Sequence, residues 1–307
     1  MNLESTEWDA ELLEIFGIDK KTLPQINPSF GVFGKTRGLD FLPDGIPVTG
    51  ILGDQQAALF GQSGYKTGDM KCTYGTGAFM LLNTGEEIVR SSAGLLTTVA
   101  YQDSKKTVYA LEGSCYIAGA AVQFLRDNLG FIHKSSEVEE LANTVTDYNQ
   151  MENILFLPFL TGLGSPYWVS DAKGTIHGLT RDTTRAHIAL ATLEGIAFSI
   201  DDLISAMRKD LGKNIETLNV DGGAAANDLL LTIQASVSKT NIVRPKIIET
   251  TSYGAGLAAA IGAKLIKMED IDRLWSKDRS FEEAPTREQY YTGKKTKWSD
   301  LIKRLYR

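Results

Sequence analysis

The chemistry-bearing residue met first along the chain is an aspartate behind a short apolar run. Residues 48–52 predict a strand stopped by Gly53, after which Asp54, Gln55 and Gln56 open a helix expected over residues 55–60. A strand ending there delivers a carboxylate to its C-terminal edge, where open α/β sheets present groups to ligands. Asp54 can take a proton from a substrate hydroxyl, the general-base task in phosphoryl transfer to an alcohol; it can equally cap the helix behind it. Gln55 offers both a donor and an acceptor, suited to a polyol hydroxyl.

Glycine-rich segments supply the complementary chemistry. In Thr73-Tyr-Gly-Thr-Gly77 the glycines let successive amides converge on an anion, and Thr76 adds a hydroxyl; a plain hairpin turn accounts for the same glycines. The run contains no Gly-Lys-Ser/Thr and is no Walker A loop. Asp221-Gly-Gly-Ala-Ala-Ala-Asn227 leaves bare backbone at a helix start, where Gly223 and Asn227 can meet a nucleotide; tight helix-on-strand packing is the other explanation. The spacing differs from the dinucleotide fingerprint Gly-x-Gly-x-x-Gly. Gly119 and Gln123 lie one helical turn apart and pair a gap with an amide, although such a glycine also serves close helix packing. Tyr167 and Trp168 can wall a pocket or form a buried aromatic corner. The three histidines are scattered, with no His-Glu-x-x-His pair, and no Gly-x-Ser-x-Gly elbow occurs.

These groups must be held by alternating strands and helices. Trp8, Leu12, Ile15 and Phe16 make one stripe of a first helix capped by Thr6 and ended by Gly17. Residues 70–82 read as a hairpin around Gly75-Thr76-Gly77, with further strands at 95–101 and 107–111. Helices follow at 114–129 and 136–144, then a strand at 154–158 and the loop Thr161-Gly-Leu-Gly-Ser-Pro-Tyr-Trp168. The clearest helix is 184–211, apolar along Leu193, Ile196, Ala197, Ile200, Leu203, Ile204 and Met207. Strand–helix units then span 217–237 and 242–264, and the whole order predicts an α/β fold. Trp298, Leu301, Ile302 and Leu305 predict a closing helix docked on the core, against the alternative of a lipid-surface helix.

A chain of 307 residues with 43% apolar and 23% charged residues can bury a sizeable core in one body or two close lobes. A net charge of −6 argues against nucleic acid or an anionic membrane as the main partner. Two cysteines, Cys72 and Cys115, in no CxxC pairing favour a reducing, cytoplasmic setting. Neither a leader pattern nor a run of eighteen apolar residues occurs.

Five ordered segments, Gly53-Asp-Gln-Gln-Ala-Ala-Leu-Phe-Gly-Gln62, Thr73-Tyr-Gly-Thr-Gly-Ala-Phe79, Phe159-Leu-Thr-Gly-Leu-Gly-Ser-Pro-Tyr-Trp168, Gly174-Thr-Ile-His-Gly-Leu-Thr180 and Val220-Asp-Gly-Gly-Ala-Ala-Ala-Asn227, resemble the glycerol kinases of the FGGY carbohydrate kinase family, collinearly over nearly the whole chain. The resemblance implies an actin-like ATPase fold of ribonuclease H-type lobes, with ATP and Mg2+ as cofactors and glycerol as acceptor. It implies that Asp54 is the catalytic base, that Gln55 and Phe79 contact glycerol, that Thr76 contacts phosphate, and that Gly119, Gln123, Gly223 and Asn227 contact the nucleotide. It divides the chain into 1–62, the last piece of an N-terminal lobe, and 63–307, a C-terminal nucleotide-binding lobe. The Asp-x-Gly-Thr loop and the Arg-Glu pair of the family's N-terminal lobe have no counterpart, so a partner lobe or a homo-oligomer is expected, with low turnover by the chain alone. Where the family usually reads Asp-Pro after Pro-Tyr-Trp, this chain has Val169-Ser170. Two other outcomes stay open: an FGGY kinase for another sugar or polyol, and a non-catalytic nucleotide-binding fragment.

Overall fold

In the computed structural model, which describes residues 1–306, the hairpin expected around Gly75-Thr76-Gly77 lies at the centre of the main sheet. In chain order the first elements are α1 (Ala10–Phe16), β1 (Phe30–Lys35), β2 (Pro47–Gly50), α2 (Asp54–Gly61), β3 (Met70–Tyr74), β4 (Ala78–Gly85), β5 (Leu96–Gln102) and β6 (Thr107–Cys115). They are followed by α3 (Gly119–Asp127), α4 (Glu137–Asn143), β7 (Leu155–Leu157), β8 (Thr175–His177), α5 (Arg185–Leu211), β9 (Thr217–Asp221) and α6 (Asp228–Ser238). The chain ends with β10 (Asn241–Pro245), α7 (Thr250–Gly262), α8 (Ile271–Leu274), β11 (Lys277–Phe281) and α9 (Glu288–Tyr306).

Seven strands form a mixed sheet in the order β11-β10-β9-β3-β4-β6-β5, with β3 parallel to β9 and antiparallel to β4. Alternation along β3 sends Met70, Cys72 and Tyr74 into one core and turns Lys71 and Thr73 to the opposite face. Across the first face lies α5, whose stripe from Leu193 to Met207 is wholly buried. The Thr184 amide donates to His187 Nδ1 at 3.0 Å at its start, and Gly212, at φ +65°, ends it as expected.

On the opposite face α2 and α7 pack Leu59, Phe60 and Leu257 against Leu81, Tyr101 and Val108. The two helices cross backbone to backbone: a Cβ on Gly254 would stand 1.8 Å from the Ala57 carbonyl oxygen. That crossing ties the segment carrying Asp54 to the rest of the fold.

The closing helix docks as predicted. Trp298, Leu301 and Ile302 are buried, Leu305 stays at the surface, and Trp298 stacks on Phe198 with ring centres 5.4 Å apart. Trp298 Nε1 donates to Asp202 Oδ2 at 2.9 Å, and burial pushes the Asp202 carboxyl up to about 7, the neighbouring Asp201 adding to the effect. A carboxyl raised in this way holds a proton that the unfolded chain has already released, so its share of stability is full below the unfolded value of 3.8 and is lost as pH rises toward 7. Asp202→Asn is expected to remove a downward slope of up to about 1.4 kcal/mol per pH unit in that window. Denaturant midpoints of both proteins from pH 4 to pH 8 check this, and parallel curves would sink it.

Several boundaries differ from the expectation. Asp9 rather than Thr6 caps α1, its carboxylate accepting from the Leu12 amide, while Thr6 sits at φ +54°. The stripe of α1 is not buried: Ile15 and Phe16 are 67% and 69% exposed. Helix α3 starts at Gly119, because residues 112–115 continue β6 against β4. Strands β1 and β11 were not anticipated; β11, Lys-Asp-Arg-Ser-Phe, is an edge strand whose pairing with β10 rather than apolar alternation makes it a strand.

Candidate active site

At the carboxyl ends of β3 and β9 the chain encloses a cavity of about 510 Å³. Four segments build it. The β3–β4 turn gives Gly75 and Thr76, the start of α3 gives Gly119 and Gln123, residues just before and within α4 give Ser135, Ser136 and Glu139, and the β9–α6 connection gives Gly223 and Asn227. Leu193 of α5 and Val122 of α3 add apolar wall. A cleft that is mostly apolar with a few convergent polar groups is the usual form of a small-molecule site.

Backbone bonds hold these segments in register. The Thr76 carbonyl accepts from the amides of Ala118 and Ala120 at 2.8 and 3.0 Å, and the Gly75 carbonyl accepts from Gly119 at 3.0 Å. The turn thus rests on the start of α3, leaving Gly75 and Thr76 exposed toward the cavity. Asn227 is the N-cap of α6, its Oδ1 accepting from the Leu230 amide at 2.8 Å, which leaves the carboxamide nitrogen to donate. Glu139 Oε1 accepts from the Leu229 amide at 3.0 Å and so ties α4 to α6 beneath the opening.

The face of the sheet that packs α2 and α7 carries the second group. Cross-strand register places Thr73 opposite Phe79, Phe79 opposite Ser114, and Asp221 beside Thr73. The next row aligns Lys71, Leu81 and Glu112. Asp54 is the first residue of α2, exposed, with Oδ1 accepting from the Gln55 amide at 2.7 Å. Lys71 Nζ donates to Gln55 Oε1 and, at 2.9 Å, to Thr73 Oγ1. Burial holds the Lys71 ammonium below the ordinary lysine range against the opposing pull of Asp221, Glu112 and Asp54. Burial likewise raises the Glu112 carboxyl, with Lys71 opposing. Asp221 is buried and accepts from Gln62 Nε2 at 3.0 Å and from Thr250 Oγ1.

The structure therefore brings Thr76, Gly119, Gln123, Gly223 and Asn227 to one cavity. Asp54, Gln55 and Phe79 lie outside its lining, on the face reached from α2. Phe79 is 38% exposed, an apolar surface free for contact. Lys71 went unnoticed in the sequence, although a lysine inside the strand Met70–Tyr74 is the signal that finds it. Ser135, Ser136 and Glu139 carry no such signal, because only the tertiary fold brings α4 to the opening. Tyr167 and Trp168 do not wall the cavity: Trp168 is 46% exposed, and its Nε1 donates to the Gly94 carbonyl at 2.7 Å.

A side chain on Gly119 would collide with the turn, since its Cβ would stand 2.6 Å from the Gly75 oxygen. Gly119→Val is expected to displace the turn and, if the cavity holds the nucleotide expected from the sequence, to weaken its binding about 10- to 100-fold, the effect of ~1–3 kcal/mol of overpacking at a binding wall. Calorimetric titration with ADP reads the change, and an unaltered affinity would remove Gly119 from the site.

Residues 70–263 match the C-terminal domain of the FGGY family of carbohydrate kinases, and residues 1–61 match its N-terminal domain. The chain is 52% identical over 283 residues to a glycerol kinase of Bdellovibrio bacteriovorus, covering 92% of this chain and 57% of that protein. It is 46% identical over 307 residues to glycerol kinase 2 of Sulfolobus acidocaldarius, covering 99% of this chain and 60% of that protein. The crystal structure of Plasmodium falciparum glycerol kinase with ADP superposes with a TM-score of 0.89 at 34% identity, over 100% of this chain and 61% of that one. A ligand-bound xylulose kinase of Lactobacillus acidophilus superposes with a TM-score of 0.86 at 22% identity, a likeness of fold. The fold is the actin-like, ribonuclease H-like α/β fold, and the chain spans about 57–61% of the length of these curated relatives.

Proposed function

Because the chain belongs to the FGGY family of carbohydrate kinases, we propose that it serves the transfer of the γ-phosphate of ATP to glycerol, giving glycerol 3-phosphate. The observation that carries this reading is the convergence of Thr76, Gly119, Gln123, Gly223 and Asn227 on one cavity. The similarity to relatives named glycerol kinases supports glycerol as the acceptor.

In this reading ATP occupies the cavity, with its sugar and base against Gly119, Gln123, Gly223 and Asn227. The Gly75-Thr76 turn then meets the phosphates with backbone amides and a hydroxyl. Glycerol lies over Phe79, which packs on the carbon chain, and Gln55 binds a hydroxyl. Asp54 takes the proton of the attacking terminal hydroxyl as its oxygen bonds to the γ-phosphorus and the bond to ADP breaks. Among the described residues no cluster of three or more His, Cys, Asp or Glu forms a ready cation cage. In this reading a magnesium ion would be held chiefly by phosphate oxygens and water, with exposed Asp54 as the carboxylate available to it, and would offset charge on the phosphates.

The chain divides in this reading into 1–62, which brings Asp54, and 63–307, which binds nucleotide. Exposed Phe16, Val32, Phe41 and Ile51 are surface that a complementary N-terminal lobe, or a second copy of the chain, would cover. Among the described residues no helix is long and apolar enough to cross a membrane; the reading places the protein in the cytoplasm, with buried, unpaired Cys72 and Cys115 suited to a reducing setting.

The test is ADP release by the purified chain with magnesium and ATP, alone and with glycerol, xylulose or gluconate, beside calorimetry with ADP. Glycerol-dependent release is expected. ADP binding without release makes the chain a nucleotide-binding lobe that needs its complement, and faster release with xylulose or gluconate overturns the choice of acceptor.

A further inference from the structure

We infer that Lys71 is the positioning residue of the acceptor site: it fixes which way the Gln55 carboxamide faces, so that its NH2 group is presented to a ligand hydroxyl. The inference rests on the reading of Gln55 as a hydroxyl contact.

Lys71 has no exposed surface, yet it lies on the ligand side of β3 rather than in the apolar core. An ammonium has only protons to give. Two of them go to Gln55 Oε1 and Thr73 Oγ1. With the cation fixed against it, the flipped carboxamide would set N–H against N–H, so Oε1 faces Lys71 and Nε2 is left to donate outward. The Thr73 hydroxyl, accepting from Lys71, likewise has its own proton to donate. Thr73 lies directly across from Phe79, whose ring is exposed.

Three carboxylates face the ammonium from three elements: Asp221 at the end of β9, Glu112 on β6 and Asp54 on α2. An uncompensated buried cation is costly, and these groups keep the charge in place. The lysine therefore orders the Gln55 carboxamide without touching the ligand.

The experiment observes the full-length chain, labelled with 15N in glutamine side chains, by NMR. Gln55→Ala identifies the Gln55 NH2 pair. In the free wild-type protein that pair is expected to be ordered, with heteronuclear NOE values matching the backbone of α2, and in Lys71→Met, which keeps the apolar stem, it is expected to become mobile. An equally ordered pair in Lys71→Met overturns the inference whatever glycerol does. Should Lys71→Met fail to fold, the wild-type protein decides: the Gln55 Cδ resonance must titrate with the Lys71 Cε resonance, and independent titrations overturn the inference. Glycerol titration of the wild type judges the functional reading separately, since an unshifted Gln55 NH2 pair removes glycerol from the site and leaves the order measurement untouched. Gln55→Glu completes the set: it retains the partner of Lys71 but has no proton to give, and glycerol affinity is expected to fall about tenfold or more with Lys71 still charged.

Discussion

Replacing Asp54 by asparagine is expected to lower glycerol-dependent ADP release about 100- to 10,000-fold, the range for removal of a general base, while leaving the affinity for ADP unchanged. The substitution is nearly isosteric. Asparagine Oδ1 can still accept from the Gln55 amide, as Asp54 does at 2.7 Å, so the first turn of α2 keeps its geometry. Loss of the charge near a helix N-terminus costs only about 0.3–1 kcal/mol. What disappears is the capacity to take a proton from the attacking hydroxyl. Because Asp54 is not part of the cavity lining, nucleotide binding has no reason to change. The comparison is made in whichever preparation turns over, the chain alone or the chain joined by its complementary lobe, with calorimetry on the same samples. A variant that retains a tenth or more of the rate excludes Asp54 as the base, and one that also loses ADP shows that the substitution acted through the fold.

The parts of this architecture that were legible in the sequence are those governed by local rules. Helix α5 announced itself through an apolar stripe from Leu193 to Met207 and a closing glycine, and its span of 27 residues came out within one residue at its start. The β3–β4 hairpin and the β9–α6 connection were legible because glycines and short polar residues mark turns. Since the candidate nucleotide contacts sit in those turns and in the adjacent helix α3, those residues of the cavity were legible with them. Strand β11 was not, because Lys277–Phe281 becomes a strand only by pairing with β10. The stripe of α1 was legible as a stripe but not its exposure, since periodicity reports amphipathicity and not what covers the apolar side. Ser135, Ser136 and Glu139 were invisible for a related reason: their role follows from where α4 packs. Lys71 lies between these cases, its charge in an apolar run being a local signal whose meaning depends on Gln55, sixteen residues away.

Lys294→Met is expected to destabilise the protein by about 3–5 kcal/mol, the cost of leaving a buried charge without its partner. Lys294 and Glu194 are each 1% exposed and form an ion pair between α9 and α5. Tyr290 completes it, donating to Glu194 Oε1 at 2.6 Å and accepting from Lys294 Nζ at 2.8 Å. Burial, together with the Glu194 charge, holds the Tyr290 hydroxyl firmly in its neutral, donating form. Methionine fills the lysine stem but gives nothing to Glu194 Oε2, so the carboxylate must stay charged in a closed site or take up a proton. A double variant, Lys294→Met with Glu194→Gln, removes both charges and is expected to recover most of the loss, leaving the Tyr290 hydroxyl a neutral amide oxygen to meet. Urea titrations of the wild type, each single variant and the double variant give the coupling directly, and additive losses would show that the pair does not act as a unit. The consequence reaches the cavity, because Leu193 adjoins Glu194 on α5 and forms part of the cavity wall. Loosening α9 is therefore expected to weaken ADP binding in Lys294→Met, and affinity should return with stability in the double variant. A closing helix remote from the Gly75-Thr76 turn would in that case set the position of the wall against which the nucleotide rests.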